Sequence, residues 1–394
     1  MKVHEQSGND FASHSHLAGS RPLCRRRLLG TAVLAALSLT LPSVTGLAGA
    51  RKDDMPGKAG EQDLGPWKSP LLRDHPLVGR ILDAASLAPM RMETLLRRAA
   101  QADVLVIGET HDNPDHHRIQ AKLLTAYARA RRRMKGRPPA IVFEMIDTDR
   151  DKAITALNRK PSRSADEIFD AARWEDSGWP GRDIYRPVMQ AAAQSGGPVI
   201  AAGLPRRTVR EVGRGGLEVL PEERRRALRL QPLSPAQQEG LEKQIVRSHC
   251  DMIPRSAAAA MSGVQRLRDA LLAERVLQGV RRQGSAVLIT GTGHARADRG
   301  APLYLRRHDP RLRIFVVWLA EAREDARHLA DLLPEDADPA RVADAFIITP
   351  RARRDDPCEE FRRFMERRKR KKSQKDHKKT APGPETRSET EARP

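Results

Sequence analysis

A four-residue glycine-led pattern occurs twice in this chain, as Gly108-Glu109-Thr110-His111 and as Gly291-Thr292-Gly293-His294, each directly after a short apolar run (104–107 and 287–290). Imidazole changes charge near neutral pH and is the commonest metal ligand, so two histidines in matched surroundings point to acid–base work or to ligation. Carboxylates accompany both. Glu109 and Asp112 flank His111, Glu144 follows the apolar run 141–143, and Arg296 and Asp298 come shortly after His294. Glu109, His111, Glu144 and His294 could activate water against an ester or peptide bond, as general bases or through a divalent metal ion. Each neighbour also has a plain structural reading: His116 shares an inner helix face with Ile119, His117 faces solvent, and Glu144 pairs with an arginine or caps a helix.

Aromatic residues give a second signal. Trp174, Trp179 and Tyr185 fall close together in a chain with only four tryptophans and three tyrosines. That clustering suits a flat apolar ligand, or else a small satellite core. Tyr127 fits a buried helix stripe, whereas Tyr185 and Tyr304 have no such explanation.

The elements that must position these groups can be read from the pattern. An apolar run closing on Gly-x-x-His reads as a buried parallel strand reaching its carboxyl end, the edge where open α/β sheets bind ligands. Further strand candidates are 140–143, 198–202, 313–318 and 345–349, mostly separated by helical stretches. The fold class expected is therefore α/β, a mostly parallel sheet flanked by helices. The long helical segment at about 205–283 reads as a cap over one sheet edge. Asn113 can cap a helix starting at Pro114, whose free N–H groups would suit a carboxylate or phosphate. His111 and His294 should then face each other across one pocket, with Glu109 and Glu144 close by.

The flanks bound the rest. Residues 1–50 read as a signal peptide: Arg25-Arg26-Arg27 precedes a short apolar stretch, and Ala48-Gly49-Ala50 offers a cleavage site. The arginines resemble a twin-arginine signal, with an ordinary basic leader as the alternative. A flexible arm (51–86), the main domain (87–350), its closing segment (351–365) and a basic disordered tail (366–394) follow. The net charge is +20, and nine Lys/Arg stand against two acids in 366–379. For an exported chain, periplasmic or otherwise in the cell envelope, an anionic envelope surface suits such a tail better than nucleic acid, and a solvated tail without partner is the alternative. Cys250 and Cys358 could be bonded or could be buried thiols, and three cysteines are too few for an all-thiolate zinc site.

Several blocks resemble the ChaN-type haem-binding uptake proteins. They are 108–120, Phe143-Glu144-Met145, 174–187, 198–206, His249-Cys250 before 265–269, Gly291 to Arg296 with Pro302-Leu303-Tyr304, and 355–359, in family order. Gly203, where asparagine is expected, and the missing lipid-anchoring cysteine depart from the pattern. The resemblance implies a fold of the Tiki and erythromycin-esterase superfamily and a haem-binding envelope protein taking part in iron uptake. It further implies a haem-sharing homodimer with tyrosine ligation. Tyr185, beside Arg186, would be the first iron ligand and Tyr304 the second, with His111 and His294 in reserve. Trp174 and Trp179 would cover porphyrin faces, and arginines such as Arg296 would hold propionates.

Overall fold

The computed structural model describes residues 64–380, without the side chains of 368, 369 and 371–380; the expected export segment, the start of the arm and the end of the basic tail lie outside the described residues. Seven strands form one sheet: β1 (Ile81–Asp83), β2 (Val104–Glu109), β3 (Ala140–Asp147), β4 (Val199–Gly203), β5 (Ala286–Gly291), β6 (Ile314–Glu321) and β7 (Ala345–Thr349). Their order is β1-β7-β6-β2-β5-β3-β4, parallel throughout except that β1 runs antiparallel to β7. From β2 the chain moves outward to β3 and β4, returns to insert β5 between β2 and β3, then continues on the other side of β2. The α/β class read from the pattern is the fold observed.

The principal helices are α1 (Met92–Gln101), α2 (Pro114–Lys135), α3 (Asp151–Asn158), α4 (Ala165–Ala172), α5 (Arg182–Ser195), α6 (Arg206–Gly215), α7 (Pro235–Ser248), α8 (Arg255–Gln283), α9 (Ala301–His308) and α10 (Pro357–Thr380). Both sheet faces are covered, which is why the strands are unbroken apolar runs rather than alternating ones. Leu105, Ile107, Phe143 and Ile289 join one core with α1, α2 and α5. Val106, Val142, Leu288 and Trp318 join a second core with α8 and α9. Each fully buried side chain of this size contributes about 1.5–3 kcal/mol, so the central strands are the most strongly fixed part of the molecule.

Three expectations change. Residues 64–86, assigned to a flexible arm, are folded: Leu64 is fully buried and Ile81 pairs with Ile347. Leu77, Val78 and Leu82 join the second core, apolar residues too few to read as an element by themselves. The segment from 366, expected to be disordered, begins inside α10. That helix has Pro357 at its start, no glycine, and an i,i+4 pair between Arg363 and Glu359 at 3.0 Å, all favourable to helix. The segment about 205–283 is strand-free, but it is a lid only in part. The later turns of α8 lie on the sheet, close enough that a Cβ at Gly279 would stand 2.7 Å from the Ala140 Cβ.

Cys250 and Cys358 form a disulfide, fastening the end of α7 to the start of α10. Among the described residues no helix is long and apolar enough to cross a membrane.

Candidate functional site

β2 and β5 are neighbours in register, with Glu109 opposite Gly291. Both Gly-x-x-His turns therefore leave the same sheet edge, their glycines one rung apart. The turn Thr292–Ala295 crosses directly over Gly108, where a Cβ would lie 2.6 Å from the Ala295 Cβ. At Gly291 a Cβ would stand 2.9 Å from Nε2 of His111. At Gly108 glycine is required, and at Gly291 a larger residue would push the His111 ring aside.

His111 Nδ1 donates to Glu109 Oε1 at 2.7 Å, and the Tyr185 hydroxyl donates to the same oxygen at 3.1 Å. The other Glu109 oxygen is buried without a partner. Burial opposes a charged His111 ring, but Glu109 at contact distance, with Glu144 and Asp112 nearby, pushes its pKa up to about 9. Its side chain is 36% exposed, and the half-buried Trp179 ring lies 4.6 Å from it. His111 is the open member of the pair.

His294 is enclosed, with only 8% of its side chain exposed. Its Nδ1 donates to Asp269 Oδ1 at 2.7 Å, and its Nε2 lies 3.4 Å from Glu144 Oε1. The Gln265 amide also lies against the ring, at 3.1 Å. Burial works against the imidazolium, but the two carboxylates raise its pKa. Asp269 is lifted to about 6 by burial, partly offset by His294. Glu144 is anchored by the Thr290 hydroxyl (2.6 Å) and the Gly291 N–H (2.9 Å). Despite its burial, the charges of His294 and His111 and these hydrogen bonds hold it down to about 2. Two imidazoles, each backed by its own carboxylate, thus share one sheet edge with a third, ionised carboxylate.

The model of the family described as "Haem-binding uptake, Tiki superfamily, ChaN" matches residues 95–305. The chain belongs to this family. Among solved structures it is similar to one described as cofacial heme binding to ChaN of Campylobacter jejuni, at 19% identity over 68% of this chain and 95% of that one, with a TM-score of 0.52. That likeness supports the fold. Weaker likenesses are to the type III effector HopBA1 (11% identity, 66% and 92% coverage, TM-score 0.34) and a succinoglycan biosynthesis protein (12%, 59% and 69%, 0.30). No functionally curated protein matches the chain.

Within this ChaN-family chain the tyrosine expectations do not fit. Tyr185 is fully buried on α5, its ring 3.8 Å from that of His117 and 4.8 Å from that of Trp174. Burial, followed by the charges of Glu109 and Glu144, pushes its pKa well above 10. The expected helper Arg186 instead pairs with Asp166 at 3.0 Å and is no cause of the Tyr185 shift. Tyr304 is fully buried in the second core, with Arg307 over its ring at 5.1 Å. Neither phenol reaches solvent.

Other placements also differ. Trp174 is a core residue whose Nε1 donates to the Pro180 carbonyl, so only Trp179 stands beside the site. Arg296 is fully buried, and its guanidinium is taken up by Asp298 at 2.7 Å and Asp336 at 3.4 Å. The amino end of α2 is closed by the Asn113 side chain, while Asp115 accepts from the N–H groups of Lys68 and Ser69. His117, expected in solvent, is buried and donates from Nε2 to the His111 carbonyl. His116 accepts the Thr110 N–H and bonds Thr349, bracing the same turn from beneath. The divalent-metal alternative finds no support: among the described residues no three His, Cys, Asp or Glu groups are arranged to hold an ion.

Sequence reasoning missed Asp269 as a site residue. Its signal was available: an acid inside the apolar stripe Leu267, Ala270, Leu271, with Gln265 four residues earlier on the same helix face.

Proposed function

We propose that this chain binds haem at the carboxyl edge of β2 and β5, with His111 as the iron-facing residue and Trp179 against the porphyrin. One observation carries the choice of residue. His111 is the more open imidazole of the site, its Nδ1 is engaged by Glu109, and its Nε2 makes no hydrogen bond among the described residues. Haem iron accepts a neutral imidazole nitrogen, so binding displaces the Nε2 proton that the ring holds below about pH 9, and a carboxylate on the opposite ring nitrogen fixes the tautomer and raises the basicity of the ligand. Family membership supports the cofactor, and burial of both phenols argues against tyrosine in that role.

Hemin titrated into the purified chain should give a saturable Soret change. His111→Ala should abolish it, while Tyr185→Phe and Tyr304→Phe should keep it. The opposite pattern overturns the histidine assignment, and no saturable change in the unaltered chain overturns haem binding itself.

Work outside the cytoplasm is part of this reading. The Cys250–Cys358 disulfide supports it, because such bonds persist in oxidising compartments. Sequencing the amino terminus of the protein from fractionated cells tests it: a full-length chain confined to the cytosol would end the idea.

The twin carboxylate–histidine pairs favour a second reading, hydrolysis. His111, its pKa pushed up to about 9, can donate to a leaving group, and the ionised Glu144, one oxygen anchored by Thr290 and Gly291, can orient an attacking water with the other. Under this reading Glu144→Gln stops ester or peptide turnover and leaves hemin affinity unchanged. Absence of turnover by the unaltered chain across both substrate classes sinks it.

A further inference from the structure

One to three turns beyond Asp269 along α8, toward the amino ends of the strands, lies a half-open cavity of about 400 Å³. Arg226, Arg229, Glu274, Leu277, Arg281 and His308 line it. They come from three elements: the single turn Glu222–Ala227 and the loop after it, the last turns of α8, and the end of α9. Neither candidate histidine lines it.

The charges in this cavity do not balance. Glu274 is its only acid, and both of its oxygens are bonded by Arg224, at 2.5 and 2.9 Å. Arg226 reaches Glu222 only at 3.5 Å, between two exposed side chains, a contact that solvent screens. Arg229 and Arg281 have no carboxylate partner among the described residues. The Nε2 atom of His308 is buried without a hydrogen-bond partner. Three guanidiniums and an imidazole therefore converge with one acid already committed elsewhere.

The wall that carries Arg229 is also held in place. Arg229 adopts a left-handed backbone, φ 54°, which a residue with a side chain enters at a cost. Arg307 donates to the carbonyls of Arg229, Gln231 and Pro232, and Arg266 to those of Leu230 and Gln231. Five hydrogen bonds from two arginines thus fix the loop in the shape that brings Arg229 to the cavity.

We propose that this cavity is a binding site for a phosphate-type anion, gripped by Arg229, Arg281 and Arg226 with His308 as an additional donor. Guanidinium forks match the paired oxygens of such anions, and bonds of this kind are the stronger charge-assisted class. His308 is consistent with a cation-rich pocket lacking its counter-charge. Burial lowers its pKa, and Arg229 and Arg281 lower it further, against a smaller opposite pull from Glu274. The site is independent of the haem reading and stands or falls without it.

Calorimetry of inorganic pyrophosphate with the full chain should show saturable binding that weakens as salt is raised. Removing both free charges, with Arg229→Gly to respect the left-handed backbone and Arg281→Gln, should weaken it by about tenfold or more. Unchanged melting without ligand shows that the variant folds. In histidine NMR the His308 pKa should rise on saturation, because the anion offsets its cationic neighbours. A second arm uses phosphatidylcholine vesicles with and without phosphatidic acid: co-sedimentation that the double variant abolishes assigns the phosphate to a lipid headgroup, and its absence assigns it to a soluble anion. No saturable heat and no phosphatidic-acid-dependent co-sedimentation, or equal affinity in the folded double variant, overturns the proposal.

Discussion

His111 and His294 follow the same Gly-x-x-His pattern, begun one rung apart on adjacent strands, yet one ring is open and the other enclosed. The difference comes from what is laid over each turn. α8 covers His294, bringing Asp269 and Gln265 against it. His111 has the half-buried Trp179 beside its ring and Gly291 close to its Nε2. A repeated motif thus fixes where two side chains begin, while the elements above decide which of them meets a ligand. One ring is left open, and the other is enclosed between two carboxylates.

The largest expected effect comes from unfastening the covers. The Cys250–Cys358 disulfide joins the end of α7, in the cap, to a segment whose Arg354 pairs with Asp112, next to His111. One strap therefore spans both turns. It closes a loop of sequence separation 108, for which chain entropy gives about 4 to 5 kcal/mol. Cys250→Ser with Cys358→Ser should lower the urea midpoint accordingly. If the exposures of His111 and His294 to a histidine-modifying reagent then become equal, the contrast between them depends on the strap. If His294 stays protected, α8 alone maintains it.

Acid should break the support beneath the His111 turn. His116 is neutral and fully buried, and burial is the chief reason its pKa falls from 6.5 to about 3. The unfolded chain takes up this proton as pH drops through 6.5, while the folded chain resists until about 3. Stability from this group is therefore complete above pH 6.5 and lost down to about pH 3, on the order of 4 to 5 kcal/mol at the limit. Urea midpoints measured across that window should fall with acid. They should fall less steeply in His116→Asn, whose side-chain oxygen can still accept from Thr110. An equal slope in both proteins would remove His116 from this account.

Removing the two carboxylate partners should separate the rings energetically. Asp269→Asn removes one of the two carboxylates from an enclosed ring, and about 3 kcal/mol should be lost. Glu109→Gln affects a partly solvated ring, where the loss should be about 1 kcal/mol. Equal costs in chemical denaturation would contradict the open-versus-enclosed reading.

Much of this contrast was hidden in the sequence, and the reason is physical. The strands were legible because a doubly covered parallel sheet forces long apolar runs, and the matched Gly-x-x-His turns correctly placed both histidines on one edge. Burial was not legible wherever it depends on distant chain. His117 is roofed by its own turn and α5, and Trp174 and Tyr185 pack into the core beside Phe169. Arg186 is drawn away by Asp166, twenty residues earlier, so adjacency to Tyr185 in sequence carried no charge to its hydroxyl. The folded residues 64–86 escaped notice because β1 is three residues long and exists only as an edge against β7.

The smallest expected effect is at Tyr185, and it bears most directly on the iron ligand. Tyr185→Phe deletes the hydrogen bond to Glu109 Oε1 and the 3.3 Å contact with His111 Nδ1, while Glu109 still holds His111 at 2.7 Å. About 1 kcal/mol of stability should go, visible as a small drop in urea midpoint. The position of the His111 ring should not change, because Glu109 and Trp179 both remain. Hemin affinity should therefore stay close to that of the unaltered chain. A variant that folds normally but loses its Soret change would mean that α5 moves to bring the phenol out to iron. His111 would then be the residue that guards the site, and Tyr185 the one that binds.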